Sequence, residues 1–309
     1  MRMGDSLAIS TSWNAVRYHD VESFIEEFES AGITAIELNY NVTRRIIDDI
    51  MPFLNIGRIR VSSVHNYCPE DMVSEDIRPK MVLSNLDEEY RMMAVAYTKR
   101  TLDFSHSIGA NAVVIHTGYI EDKNSVEDTL RLMFKQEQKG SKEYESIKNM
   151  LLEERRRQRT DFVNASEKSI EELSEYIAKK GYNIKLGLEN RYYFFDIPTI
   201  DEYEDWFTKY SGYPIGLWYD IGHGEVLENL GLVESKKLLE KYKQHLVGMH
   251  IHDTSGLTDH SAPGMEKTDF RAFTEYFKLD IIKVLELKSS ITVDEVRNGI
   301  SYLEKIMGK

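Results

Sequence analysis

The sequence predicts an α/β fold in which eight parallel strands, each followed by a helix, close into a (β/α)8 (TIM) barrel. Short apolar and β-branched runs alternate along the chain with segments of helical spacing, and eight such runs are present. The chain has 309 residues, and barrels of this class routinely use that many in one domain. A doubly wound open sheet is the alternative, but no Gly-x-Gly-x-x-Gly turn follows the first run.

The eight predicted strands share an apolar beginning and a polar end. They cover residues 7–12, 35–40, 61–67, 112–118, 184–190, 215–220, 246–253 and 281–288. Between them, apolar residues recur at helical intervals. Phe24, Phe28 and Ala31 precede the second strand in this way, and a looser version of the spacing runs from Ile291 to Leu303.

The whole chain, residues 1–309, is predicted to form one domain, because six prolines and no Gly/Ser-rich linker interrupt it. Residues 119–170 are predicted to be a helical insertion after the fourth strand, on the side where barrel active sites form. The insertion would serve as a lid or as a contact in a homo-oligomer. Residues 153–159 read Glu-Glu-Arg-Arg-Arg-Gln-Arg, which indicates either a solvated helix face or an anion-binding surface.

Composition excludes several classes of protein. Lys and Arg number 39 against 52 Asp and Glu, and the resulting net charge of −13 disfavours nucleic acid as a partner. The single cysteine, Cys68, cannot form an intrachain disulfide or a zinc finger. No apolar stretch is long enough for a secretory signal or a membrane span. We therefore expect a soluble cytoplasmic protein with no membrane partner.

Ionisable residues end six consecutive predicted strands. They are His65; His116; Glu189 with Arg191; Asp220 with His223; His250 with His252; and Glu286 with Lys288. A buried strand does not end in such groups unless water, a metal or a partner meets them. Because the carboxyl ends of barrel strands converge on one mouth, we expect these side chains to form one site.

A divalent metal ion is the cofactor that this set predicts. Glu189, Asp220, His250 and Glu286 form a mixed oxygen and nitrogen shell of the kind that suits Mn, Zn, Co or Mg. Four further histidines are candidates for additional metal ligands or for substrate contacts. They are His65, His116, His223 and His260. Taken singly, each of them is more typically a hydrogen-bonded structural residue.

Residues two positions apart share one side of a strand, so further side chains are expected beside the shell. Arg191, His252 and Lys288 accompany the shell residues one step nearer to solvent. They would bind substrate hydroxyl, carboxylate or phosphate groups, or else pair with neighbouring acids. Glu37 and Asn39 are expected to face the mouth from the second strand.

Aromatic residues also lie near the strand ends, where a ring can pack against a sugar or simply fill the core. They are Trp13, Tyr40, Tyr67, Tyr119 and Trp218.

Paired carboxylates beside a metal ion indicate proton transfer. An ion polarises a carbonyl and stabilises the enediolate that forms when the neighbouring carbon loses its proton. Glu189 and Glu286 are the predicted catalytic pair, one removing a proton and the other returning it. The predicted activity is isomerisation or epimerisation of a sugar, keto-sugar or other polyol.

Four segments resemble those of the xylose isomerase-like barrel superfamily. They read Gly-Leu-Glu-Asn-Arg, Tyr-Asp-Ile-Gly-His, Met-His-Ile-His-Asp and Leu-Glu-Leu-Lys. The resemblance covers the chain apart from residues 119–170. Members of the superfamily include sugar and keto-sugar epimerases, hydroxypyruvate and inosose enzymes, and zinc-dependent apurinic-site endonucleases.

The resemblance implies roles for particular residues. Glu189, Asp220, His250 and Glu286 match the single-metal shell of the isomerases and epimerases. In the endonucleases, the counterparts of His65 and His116 bind a further zinc. Asp220 and His223 match an Asp-x-x-His pair, and His260 matches the histidine shortly before a Pro-Gly turn.

Two departures concern the third zinc site of the endonucleases. Thr258 stands where they place an aspartate, Asp259 is displaced by one residue, and Gly264-Met265-Glu266 replaces their usual Gly-Glu-Gly. An endonuclease-like phosphodiester hydrolase, an inosose dehydratase-type lyase and a non-catalytic metabolite-sensing barrel are the alternatives to the isomerase.

Overall fold

The computed structural model describes residues 7–70 and 76–308, so the predicted domain limits, residues 1 and 309, lie outside the described residues. The described residues form a closed barrel of parallel strands, and the predicted (β/α)8 fold is confirmed. The barrel strands are β1 (Leu7–Ser10), β2 (Ala35–Leu38), β3 (Arg60–His65), β4 (Ala112–Ile115), β6 (Lys185–Glu189), β8 (Ile215–Asp220), β9 (Leu246–Ile251) and β12 (Ile282–Leu285). Two antiparallel pairs lie outside this sheet: β5 (Gly118–Tyr119) with β7 (Asp196–Ile197), and β10 (Asp253–Ser255) with β11 (Thr258–Ser261).

Helices follow the strands along the chain. They are α1 (Val21–Ser30), α2 (Arg44–Asn55), α3 (Glu88–Ser107), α4 (Val126–Lys135), α5 (Lys142–Lys180), α6 (Ile200–Lys209), α7 (Ile221–Asn229), α8 (Ser235–Tyr242), α9 (Thr274–Phe277) and α10 (Val293–Ile306). Side-chain caps begin several of them: Asp20 accepts the Ser23 amide at the start of α1, and Thr292 forms a capping box with Glu295 at the start of α10.

Several strands end earlier than the sequence predicted. The third ends at His65 instead of Tyr67, the seventh at Ile251, and the eighth at Leu285, one residue before Glu286. The polar residues that follow, such as Glu286, lie beyond the last paired residues of the ladder. The register of the strands fixes the position of each strand-end residue along the barrel axis. Asp220 of β8 lies directly beside His250 of β9 in this register.

One tryptophan fills the centre of the barrel. Trp218 is fully buried among small residues that include Ala8, Ala35 and Ala112. A Cβ atom added at Gly248 would lie 2.3 Å from the Trp218 ring, and one at Gly187 would lie 2.8 Å from it. The ring therefore needs these small residues around it.

The predicted insertion contains α4 and most of α5. Its predicted end, residue 170, lies inside α5, which continues to Lys180. Ser166 and Ser169 donate hydrogen bonds to the carbonyl oxygens of Thr117 and Leu83, so this part of α5 packs on the barrel. The limits of the insertion stay a prediction. Among the described helices, none has both the length and the apolar composition that a membrane crossing requires.

We predict that Gly248→Ala lowers the free energy of unfolding by about 1–3 kcal/mol, because the added methyl overpacks the ring of Trp218. Denaturant unfolding measures this loss. The double variant with Trp218→Phe is the control, since the smaller ring leaves room for the methyl. A loss in the double variant equal to the sum of the single losses would contradict this packing.

Candidate metal centre

Four side chains meet at the mouth of the barrel, from the ends of β6, β8 and β9 and from the residue after β12. His250 Nδ1 lies 2.7 Å from Glu189 Oε1, 3.0 Å from Glu286 Oε2 and 3.5 Å from Asp220 Oδ2. One ligand atom from each residue lies within 4.8 Å of all the others. Every member is at least nine-tenths buried. The structure thus brings together all four residues predicted for the metal shell.

The charges of this group are unbalanced. Burial opposes ionisation of Glu189 and Glu286, but nearby histidines hold the pKa of each carboxyl well below its usual range. Burial also opposes protonation of His250, yet the carboxylates of Glu286 and Glu37 hold its pKa well above the ordinary value. Three ionised carboxylates around one imidazole are a site of strong negative potential, which a divalent cation would offset.

Side chains from β2, from the residue just after it and from β3 orient the group on the side away from solvent. Glu37 Oε1 lies 3.0 Å from His250 Nε2, and the Ser63 hydroxyl donates to Glu37 Oε2 at 2.8 Å. The Asn39 amide donates to Glu286 Oε1 at 3.2 Å. Strand alternation had indicated that Glu37 and Asn39 face the mouth. It gave no sign that Glu37 contacts the nitrogen of His250 that points away from the shell.

A second cluster, His65, His116 and Glu189, shares one carboxylate with the first. His65 Nδ1 donates to the Asn66 carbonyl oxygen at 3.2 Å, since that oxygen can only accept. The other ring nitrogen, Nε2, faces Glu189 Oε2 at 3.8 Å. His116 Nε2 lies 2.8 Å from the same oxygen. Arg191 reaches into this cluster, with Nη1 2.7 Å from Glu189 Oε2 and 2.5 Å from His116 Nε2.

Arg191 changes what the second cluster can hold. Burial and the Arg191 guanidinium lower the pKa of His116 to about 3, so its imidazole is neutral. Burial opposes protonation of His65 as well, but the nearby carboxylates of Glu189, Glu286 and Glu37 together outweigh it and raise the pKa. A cation bound between the two histidines would have to displace the guanidinium or share Glu189 with it.

A third cluster contains His223, His252 and His260. The His260 amide donates to His252 Nδ1 at 3.0 Å, and His252 Nε2 lies 3.0 Å from Asp220 Oδ1. Both ring nitrogens of His252 are therefore engaged, and this side chain supports Asp220. The arrangement needs Gly222, because a Cβ there would lie 2.0 Å from the His252 ring.

Asp259 completes the polar surroundings of the third cluster. His260 Nδ1 lies 2.9 Å from Asp259 Oδ1, and His223 Nε2 lies 4.0 Å from Asp259 Oδ2. His223 directs Nδ1 to the Asn190 carbonyl oxygen at 3.1 Å, which leaves Nε2 facing Asp259. The displacement of this aspartate by one residue thus still places a carboxylate beside both histidines.

The three predicted substrate-binding residues lie in different surroundings. Arg191 contacts the shell directly, and His252 is fully buried beneath Asp220. Lys288 is exposed, and its ammonium donates to the Ser261 hydroxyl at 3.1 Å. None of the three pairs with Asp253 through a described ion pair; that carboxylate instead accepts backbone amides, including those of Gly264 and Thr268.

Two of the predicted sugar-stacking aromatics are in the core. Trp13 and Trp218 are fully buried, so neither ring can meet a substrate. Tyr40 and Tyr119 keep exposed surface. Tyr40, Tyr67 and His116 help to line a cavity of about 300 Å³ that borders the second cluster.

Helix α4 holds the loop that carries Arg191. The buried Glu127 carboxylate accepts the amides of Phe194 and Phe195 at 2.9–3.1 Å. Arg131 donates to the Tyr192 carbonyl at 2.5 Å and lies over the Tyr192 and Tyr193 rings. The segment predicted as an insertion therefore fixes one wall of the mouth.

Solved structures share this fold over nearly the whole chain. A D-tagatose 3-epimerase-like protein superposes with a TM-score of 0.67 at 16% identity, covering 98% of this chain and 97% of the other. The 3-keto-D-glucoside 4-epimerase YcjR from E. coli gives 0.68 at 12% identity, with 97% and 99% covered. The IOLI protein, solved with a zinc atom, gives 0.63 at 13% identity, with 98% of both chains covered.

Sequence comparison identifies the family. The uncharacterized protein y4fM of Sinorhizobium fredii (strain NBRC 101917 / NGR234) is 27% identical over 199 residues, or 63% of this chain. The match spans only 52% of that relative, so this chain covers about half of its length. The family described as "Xylose isomerase-like TIM barrel" matches residues 25–306. Because this match extends over most of the chain, the protein belongs to the xylose isomerase-like TIM barrel family.

Proposed function

We propose that this protein is a divalent-metal-dependent isomerase or epimerase of a small sugar, keto-sugar or related polyol. The observation that carries the proposal is the buried group of three carboxylates around His250 Nδ1. Similar structures include proteins named as sugar epimerases, which supports a small polyol as the substrate class. The cytoplasmic location and a homo-oligomeric state stay predictions.

The donor set fits a divalent ion. Glu189, Asp220, His250 and Glu286 would hold it, three through oxygen and one through imidazole nitrogen, a mixture suited to Mn, Zn, Co or Mg. A bound ion would supply charge stabilisation for the oxyanion that develops when a carbon beside a carbonyl is deprotonated.

Glu189 and Glu286 are the proposed proton-transfer pair. Each contacts His250 Nδ1 through one oxygen, so their other oxygens point to different neighbours. The second oxygen of Glu189 accepts from the Arg191 guanidinium and lies 2.8 Å from His116 Nε2, whereas among the described residues that of Glu286 accepts only the Asn39 amide. Because its second oxygen accepts only a neutral amide, Glu286 would be the stronger base of the two. Arg191 would orient a substrate oxygen beside Glu189.

A zinc-dependent phosphodiester hydrolase is the second candidate. The two histidine-containing clusters beside the shell favour it, because three adjacent ions could activate water and a leaving oxygen. The guanidinium of Arg191 inside the second cluster and the net charge of −13 oppose it. Cleavage of a duplex containing an abasic site by the zinc-loaded protein would favour the hydrolase over the isomerase. An inosose dehydratase-type lyase would share the proton abstraction of the first proposal.

Glu37→Gln is predicted to weaken Mn²⁺ binding by about 10–100-fold, because the carboxylate that orients His250 is lost. Direct calorimetric titration of the metal-free protein measures the affinity without reference to activity. Glu26→Gln, an identical change on the exposed face of α1, is the matched control. Equal affinities in the two variants would show that Glu37 does not support a metal ligand.

Metal binding is predicted to release protons and to strengthen as pH rises through neutrality. The raised pKa of His250 keeps its imidazole protonated in the metal-free protein, and an ion can bind only the deprotonated ring. Raising the pH removes the competing proton and so increases the affinity. Titrations in two buffers of different protonation enthalpy count the protons; a binding enthalpy that is the same in both would contradict the prediction.

Glu286→Gln is predicted to slow exchange of a substrate carbon-bound hydrogen with solvent by about 10²–10⁴-fold, since the amide cannot act as a base. The measurement is deuterium incorporation from heavy water into a panel of ketoses and inososes with Mn²⁺-loaded protein. The Glu26→Gln variant should exchange like the parent. No incorporation into any compound by the parent protein would count against the proposed function as a whole.

A further inference from the structure

A cavity of about 430 Å³ lies outside the barrel strands, between α5, α6, α7 and α8. Its size is within the range of small-molecule sites in proteins. Leu152, Leu227 and Leu238 contribute to its apolar wall, and Leu152 is 37% exposed at the edge. None of the four shell residues lines it, although Arg191, which contacts Glu189, does.

Cationic side chains outnumber acidic ones along the wall of the cavity, in a protein that is acidic overall. Among the described residues, five cationic side chains and two acidic ones line it, whereas the chain carries a net charge of −13. The residues with charge are Arg155, Arg156, Arg159, Arg191, Lys237, Asp201 and Glu234. Three of the arginines come from the basic run that the sequence singled out in the insertion.

Most of these cationic side chains are paired with carboxylates, and Arg156 has the longest ion pair among them. Arg155 and Arg159 both pair with the carboxylate of Glu202, at 3.1 and 3.0 Å, and Arg159 also lies 3.6 Å from Asp201. Lys237 pairs with Glu234 at 2.6 Å. Arg156 is 79% exposed, and its described partner is Glu153 at 3.7 Å. An anion at the rim would therefore meet the exposed guanidinium of Arg156, which has hydrogen bonds to give.

The floor of the cavity is shared with the loops of the metal centre. Asn190 lines the cavity, and its amide group bonds both the backbone N–H and the carbonyl of Asp220, at 2.7 and 2.9 Å. Gly224 lines it one residue after His223. A ligand in the cavity would thus restrain the segments that carry Asp220 and His223.

We propose that this cavity is a second ligand site, which binds a small organic anion. The apolar body of the ligand fills the pocket between α5 and α8. Its carboxylate, sulfonate or phosphate group lies at the rim, beside Arg156. The apolar wall selects the body of the ligand, and the exposed guanidinium of Arg156 selects its sign. The site does not depend on the activity at the barrel mouth.

The probe is 8-anilinonaphthalene-1-sulfonate, whose fluorescence reports binding in an apolar site, and N-phenyl-1-naphthylamine is its matched neutral analogue. We expect saturable binding of one sulfonate per chain, with an affinity at least about tenfold above that of the neutral amine. Equal affinities for the two dyes, or no saturable binding of the sulfonate, would overturn the proposal.

Two variants locate the site. Arg156→Glu should weaken sulfonate binding about tenfold or more and leave the neutral amine unchanged, because only the charge at the rim is altered. Arg157→Glu is the matched control, since Arg157 is also exposed but does not line this cavity. Val233→Trp should abolish binding of both dyes by filling the pocket, with circular dichroism to verify folding. If Arg156→Glu binds the sulfonate like the parent and like Arg157→Glu, the proposal is wrong, whether or not Val233→Trp folds.

Discussion

The burial of three carboxylates around one histidine nitrogen is the constraint on which the rest of the structure depends. Removing Glu189, Asp220 and Glu286 from water costs several kcal/mol for each ion unless charge and hydrogen bonds compensate. The protein supplies part of that compensation through His250 and Arg191. A divalent cation in the same place would supply the remainder, which links the electrostatics of the mouth directly to the proposed chemistry.

Such a group needs a rigid frame, and the barrel provides it from two directions. From below, the Trp218 ring fills the centre and makes an edge contact with His250 at 5.2 Å between centroids. From above, Glu127 and Arg131 of α4 fix the backbone of residues 192–195, next to Arg191. The cavity on the far side of Asn190 adds a third boundary, through which a bound anion would act on the same loops.

Much of this arrangement was predictable, because parallel barrel strands deliver their last residues to one edge. The eight apolar runs with polar tails therefore predicted both the fold and the meeting of Glu189, Asp220, His250 and Glu286, while their metal and catalytic roles stay predictions. Contacts that depend on side-chain direction were not predictable. Trp218 points into the barrel and not toward the mouth, and His252 turns beneath Asp220 because Gly222 leaves it room. The charged run of α5 did not predict the cavity that Arg155 and Arg156 line, because that cavity forms only where α5, α6, α7 and α8 pack together.

The most direct test of the metal centre is an anomalous difference map from crystals of the Mn²⁺-loaded protein. The predicted result is one strong peak coordinated by His250 Nδ1 and by carboxylate oxygens of Glu189, Asp220 and Glu286. Additional peaks at the two histidine-containing clusters would favour the phosphodiester hydrolase. A map with no peak among these four residues, while they keep their direct contacts with one another, would contradict the proposed metal centre.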